Sequence, residues 1–101
     1  MGAEPRSVLD PDGREVVFDS GTQLHLALNH SWSLSIVDLI LQTVESPDHH
    51  ELDPIAGRER FYRRHVLDPW RWLRVVVDFG DRPGWIVTAF AQDFDPRRGQ
   101  R

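Results

Sequence analysis

Apolar positions along the chain keep two different periods. Over residues 36–44 they recur at helical spacing, with Ile36, Leu39, Ile40 and Val44 forming a stripe that Val37 and Leu41 widen. Ser35 with Asp38 three residues on predicts a cap at the start of this helix, and Ser46-Pro47 predicts its end. From residue 58 the period falls to two. Residues 58–66, 72–79 and 85–91 are rich in β-branched and aromatic side chains and are separated by turn chemistry, which predicts three successive strands. The last two should form a hairpin, because Gly80-Asp81-Arg82-Pro83-Gly84 places glycine at both ends of the link and proline inside it.

The earlier half is less regular. REVVF (14–18) predicts a short strand halted by Asp19-Ser20-Gly21, and TQLHLALNH (22–30) predicts a short helix with Thr22 as its N-cap. PDHHELDP (47–54) has proline at both ends and reads as a polar loop. The order strand, helix, helix and three strands predicts an α+β fold with the helices on one face of an antiparallel sheet. A single domain over residues 14–94 is expected, with flexible tails at 1–13 and 95–101.

Alternation also predicts which strand faces are wet. In residues 72–79 the odd set Leu73, Val75, Val77 and Phe79 is apolar and should meet the helices, while Arg74 and Asp78 point away. Arg58, Arg60, Tyr62 and Arg64 share one face of the preceding strand, and Arg60, Tyr62 and Arg64 should join Arg74 on an open, arginine-lined face of the sheet. Residues 85–91 are apolar on both sides, as a central strand is, and Thr88 is their hydroxyl.

Composition narrows the function classes. The 101 residues contain no cysteine, so disulfides and thiolate chemistry are excluded. The first residues carry no apolar signal-peptide segment and no run is long enough to span a bilayer, so a soluble, cytoplasmic protein without membrane contact is expected. The chain is acidic, with a net charge of −4, yet residues 58–74 hold six arginines against two acids. A phosphate partner must therefore meet one face and not the whole surface. All twelve basic residues are arginine, whose planar fork grips phosphate through two bonds.

His49-His50-Glu51 with His65, His25 or His30 offers imidazole and carboxylate ligands, but no spaced zinc pattern occurs, and Gly-rich phosphate loops and serine-hydrolase elbows are absent. No metal and no cofactor is expected. What remains is metal-free phosphodiester chemistry, for which RNA supplies its own 2′-hydroxyl nucleophile and the protein supplies an acid, a base and cations. Tyr62, Trp70 and Trp72 are candidates to stack on unpaired bases.

A family resemblance points the same way. The ordered stretches His25-Leu26, Asn29-His30-Ser31, residues 40–48 (ILQTVESPD), 57–63 (GRERFYR), 73–77 (LRVVV) and 86–90 (IVTAF) resemble the phage-associated branch of the barnase, EndoU, colicin and RelE-like nuclease superfamily. The resemblance implies two N-terminal helices packed on one face of a four-stranded antiparallel sheet, and a small metal-independent endoribonuclease or RNase-like toxin. It implies catalytic roles for His25, His30, Arg60, Tyr62 and Thr88, and it leaves room for an antitoxin or immunity protein as partner. Arg58, Arg64, Trp72 and Arg74 are the expected RNA contacts. Two features depart from the family: the second histidine continues as His30-Ser31-Trp32, and the chain is acidic. The alternative is a non-catalytic module that docks an acidic partner or forms a homodimer through the same face. An acidic leader, residues 1–19, folded over the basic face is a further expectation.

Overall fold

The computed structural model describes residues 6–19, 36–64, 71–80 and 83–98, and these residues build one six-stranded sheet and one helix. The strands are β1 (Arg6–Leu9), β2 (Glu15–Phe18), β3 (His49–Leu52), β4 (Arg58–Arg64), β5 (Trp72–Asp78) and β6 (Gly84–Gln92), and the helix is α1 (Ile36–Glu45). Their order across the sheet is β1-β2-β6-β5-β4-β3. All neighbours are antiparallel except β2 and β6, which run parallel through Val16 opposite Gly84 and Val17 opposite Trp85.

This corrects the expected four-stranded antiparallel sheet with two helices. The sheet has six strands and is mixed, and α1 is the one helix among the described residues. The helix expected over residues 22–30 lies outside the described residues. The two extra strands come from stretches with no apolar period. β1 falls within the expected leader and β3 within the expected loop.

Both are edge strands held largely by pairing with a neighbour, and β1 adds only Val8 to the core. β1 is joined to β2 by a turn in which the Asp10 carboxylate accepts the backbone N–H groups of Asp12 (3.0 Å) and Arg14 (2.8 Å), and Gly13 adopts φ 82°. β3 pairs with β4 residue for residue, from His49 opposite Tyr62 to Leu52 opposite Glu59.

The core lies between α1 and one face of the sheet. Val37, Ile40, Leu41 and Val44 of the helix pack on Val16, Phe18, Phe61, Leu73, Val75, Val77, Ile86 and Ala89. Burying a side chain such as Ile40 or Leu73 contributes about 1.5–3 kcal/mol. Thr43, the buried hydroxyl of α1, donates to the Leu39 carbonyl at 2.7 Å, so it costs the core no unpaired donor. The odd residues of β5 face this core as their alternation requires, and β6 is a central strand.

A bulge in β6 decides what reaches the other face. Val77 pairs with Ile86 but Val76 pairs with Thr88, so Val87 is an extra residue. Without it Thr88 would share the buried side with Ile86. With it Thr88 stands beside Val76 on the face away from α1.

Candidate functional site

The pairing register lays the polar face out in rows. One runs His49, Tyr62, Arg74, Phe90, and the next runs Glu51, Arg60, Val76, Thr88. Flanking rows hold Arg64, Trp72 and Gln92 on one side and Arg58, Asp78 and Trp85 on the other. Side chains in one row sit one strand apart, about 4.8 Å. Two neighbouring rows therefore bring two guanidiniums, a phenol, an imidazole and a carboxylate together.

Glu51 is the hub. It accepts hydrogen bonds from Tyr62 Oη at 2.9 Å and Arg60 Nη1 at 3.1 Å, and its other oxygen lies 2.9 Å from His49 Nε2. Burial pushes the Glu51 carboxyl up, but the bonds from His49, Tyr62 and Arg60 outweigh it and hold the group below its ordinary value. Tyr62 is only 1% exposed. Its pKa is raised, first by burial and then by its bond to the carboxylate, so it remains a neutral donor.

Asp53, just beyond β3, closes the cluster. Its Oδ2 accepts from Arg60 Nε at 2.8 Å and lies 4.0 Å from Arg74 Nη2. Burial raises the Asp53 carboxyl, and the Arg60 bond with the Ile55 backbone N–H brings it below its ordinary value. Burial works to lower the Arg60 pKa, and the two carboxylates more than compensate. Arg74 is held differently. Its guanidinium lies 4.9 Å from the Phe90 ring and 6.0 Å from the Tyr62 ring, Nη1 reaches Gln92 at 3.4 Å, and its buried Nε has no hydrogen-bond partner.

The predicted site residues thus fare unequally. Arg60, Tyr62 and Arg74 come together. Thr88 is on the same face in the Arg60 row, but Val76 stands between them. Arg58 is in the row beyond, 3.4 Å from Asp78. Arg64 is exposed, 5.6 Å from the ring of Trp72, whose other cationic neighbour is Arg97 at 5.2 Å. Trp72 itself is 5% exposed, so its ring offers no open stacking surface here. His25 and His30 lie outside the described residues, as do His65 and Trp70.

Comparison with protein-family models, with curated proteins and with solved structures finds no match.

In the sequence His49 and Glu51 stand out only as possible metal ligands in a polar loop, and Asp53 does not stand out at all. The signal was present: His49 and Glu51 are two apart, the spacing that puts both on one side of a strand. Counting charge along the chain also misled. The arginine excess of residues 58–74 is answered by acids from outside that stretch: Asp53 and Glu51 on Arg60, Asp78 on Arg58 and Asp93 on Arg71. Among the described residues the leader does not cover these groups, since residues 6–9 pair with β2 at the opposite edge of the sheet. Among the described residues no three His, Asp or Glu side chains gather to hold a metal ion, and no helix is long and apolar enough to cross a membrane.

Proposed function

We propose that the face opposite α1 binds and cleaves RNA without a metal, with Arg60 and Arg74 holding the scissile phosphate. The observation that carries this reading is the meeting of these two guanidiniums with the Tyr62 hydroxyl and a carboxylate-bound imidazole in two adjacent rows of the sheet. His49 bonds Glu51 through Nε2, so in the neutral ring Nδ1 is the unprotonated nitrogen. It takes the 2′-hydroxyl proton as the 2′-oxygen bonds to phosphorus and the bond from phosphorus to the 5′-oxygen breaks. The leaving 5′-oxygen takes its proton from a second imidazole, the role the sequence offers to His25 and His30. Arg60 and Arg74 offset the charge that builds on the phosphoryl oxygens.

The test is cleavage of single-stranded RNA in the presence of a chelator, comparing wild type with Arg60→Ala, Arg74→Ala, His49→Ala and His30→Ala. Each arginine substitution should lower kcat by about 10²–10³. Removal of a true acid or base should lower it by about 10²–10⁴. Wild-type protein that leaves RNA intact ends this reading.

A second reading is a non-catalytic docking module, and the pairing of Arg60 and Arg58 with carboxylates favours it, because it leaves the face close to neutral. Salt separates the two. Affinity for RNA must fall steeply as salt rises if phosphates are gripped. No RNA affinity at low salt favours docking to a protein.

A further inference from the structure

Resting on that reading, we propose that Asp53 is a built-in occupant of the phosphate subsite between Arg60 and Arg74, an internal anion that a substrate phosphate must displace. The Asp53 carboxylate sits where a phosphoryl oxygen would sit. Its Oδ2 takes the Nε donor of Arg60 at 2.8 Å and faces Arg74 Nη2 at 4.0 Å. Arg74 nevertheless keeps a buried Nε with no partner. A carboxylate is planar and presents two oxygens, and the other oxygen of Asp53 is already committed to the Ile55 N–H at 2.8 Å. In this position it bonds the Arg60 guanidinium and stops 4.0 Å short of the Arg74 one. A tetrahedral phosphate has oxygens for the two guanidiniums together.

The backbone around Asp53 is fixed while its carboxylate is replaceable. Asp53 N–H donates to the Arg58 carbonyl at 3.0 Å, Arg58 N–H to the Ile55 carbonyl at 3.1 Å, and the Gly57 carbonyl accepts from Phe79 N–H at 2.7 Å. The turn from β3 to β4 therefore holds the carboxylate at the cluster without depending on the ion pair. Arg60 also keeps Glu51 at 3.1 Å when Asp53 leaves, so displacement does not strand a guanidinium. The consequence is a threshold: weak or singly charged anions lose to Asp53, and a polyanionic strand wins. This restrains a basic site in an acidic chain from trapping every small anion it meets.

Asp53→Asn tests this, because the amide oxygen can still accept the Ile55 N–H while the charge that competes with phosphate is gone. The probes are inorganic phosphate and a 2′-deoxy-substituted, uncleavable oligonucleotide, titrated into full-length protein. The variant should bind both about tenfold more tightly, the equivalent of one lost competing hydrogen bond to a charged group. Affinity equal to or below that of wild type overturns the proposal while leaving the RNA reading intact. Binding by neither protein overturns both. Should the variant unfold, titration of wild type with the uncleavable oligonucleotide while following the Asp53 carboxyl by carbon NMR decides the matter. The bound strand must return that carboxyl toward the ordinary aspartate value, and an unmoved titration rejects displacement.

Discussion

Replacing Arg14 by Ala tests how the N-terminal hairpin is fastened to the rest of the sheet. The guanidinium donates from Nη1 and Nη2 to both oxygens of Glu59 on β4, at 2.9 and 2.8 Å, and from Nε to Asp10 at 2.8 Å. It also lies 3.8 Å over the Phe79 ring. The Asp10 side chain is 0% exposed and that of Glu59 15%, so both carboxylates lose their cation in places water barely reaches. An exposed pair contributes about 0–1 kcal/mol. Breaking a fully buried one costs about 3–5 kcal/mol. Asp10 keeps its two backbone N–H donors and Glu59 keeps His50 at 2.6 Å, which places this loss between the limits, at about 2–3 kcal/mol. For a domain of this size that lowers the thermal midpoint by roughly 10–20 °C. The internal control is Arg6→Ala, whose partner Asp38 is 2.7 Å away but whose side chains are 55% and 63% exposed. Its midpoint should move by a few degrees only. Arg14→Lys should not restore stability, since an ammonium can neither bridge both oxygens nor lie flat on the ring. Calorimetric midpoints that fall equally for Arg14→Ala and Arg6→Ala would refute the staple.

Acid should unfold the chain through the same contacts. Glu59 is held below its ordinary value chiefly by the Arg14 bond, and Glu51 and Asp53 are lowered by bonds that outweigh their burial. Because the folded values are depressed, this stability is complete above the unfolded carboxylate pKa values, about 4–4.5, and is lost as pH falls through the folded ones. Midpoints measured from pH 7 to pH 2 should drop below pH ~4.5 and should drop less in Glu59→Gln. Tyr62→Phe removes one donor to Glu51 from a ring that stays packed, so stability should fall by about 1 kcal/mol. Midpoints by urea melts check that value, and a loss above ~3 kcal/mol would mean Glu51 is left unsatisfied.

How far the sequence led depended on whether burial or pairing made each element. α1 and β4 to β6 were legible because each buries a face, and a buried face writes its period into the chain. The same alternation put Arg60, Tyr62, Arg64 and Arg74 on one side of the sheet, where they are. β1 and β3 left no such record. They are four residues long, lie at the edges and are stabilised by hydrogen bonds to a neighbour, so RSVL and HHEL look like linkers. Asp12-Gly13, a turn pair inside the expected tail, belongs to the turn that joins β1 to β2. The cost of missing β3 was the larger one, because Glu51, Asp53 and His49 enter the cluster from it and from the turn after it. The β6 bulge was equally hidden: nothing in Ile86-Val87-Thr88 announces that both ends of the triplet face opposite sides.

Gly84 offers the sharpest test of that bulged, parallel seam. A Cβ built there would stand 2.7 and 2.8 Å from Cε1 and Cδ1 of Phe79 and 3.1 Å from Cγ1 of Val77. The requirement is space, since Gly84 sits in the β6 ladder opposite Val16. Val77 is fully buried and cannot yield, so the ring must move. That ring carries the Arg14 guanidinium at 3.8 Å and has the Phe61 ring 6.3 Å away. Gly84→Ala should therefore cost about 1–3 kcal/mol as overpacking. Part of that cost must pass through Arg14. In a double-mutant cycle with Arg14→Ala, the two losses should fall short of additive by about 0.5–3 kcal/mol. Phe79→Leu, which removes the clashing ring atoms, should recover part of the stability in the Gly84→Ala background. Strict additivity with Arg14→Ala, and no recovery with Phe79→Leu, would show that the alanine is accommodated at the seam by some movement other than that of the ring.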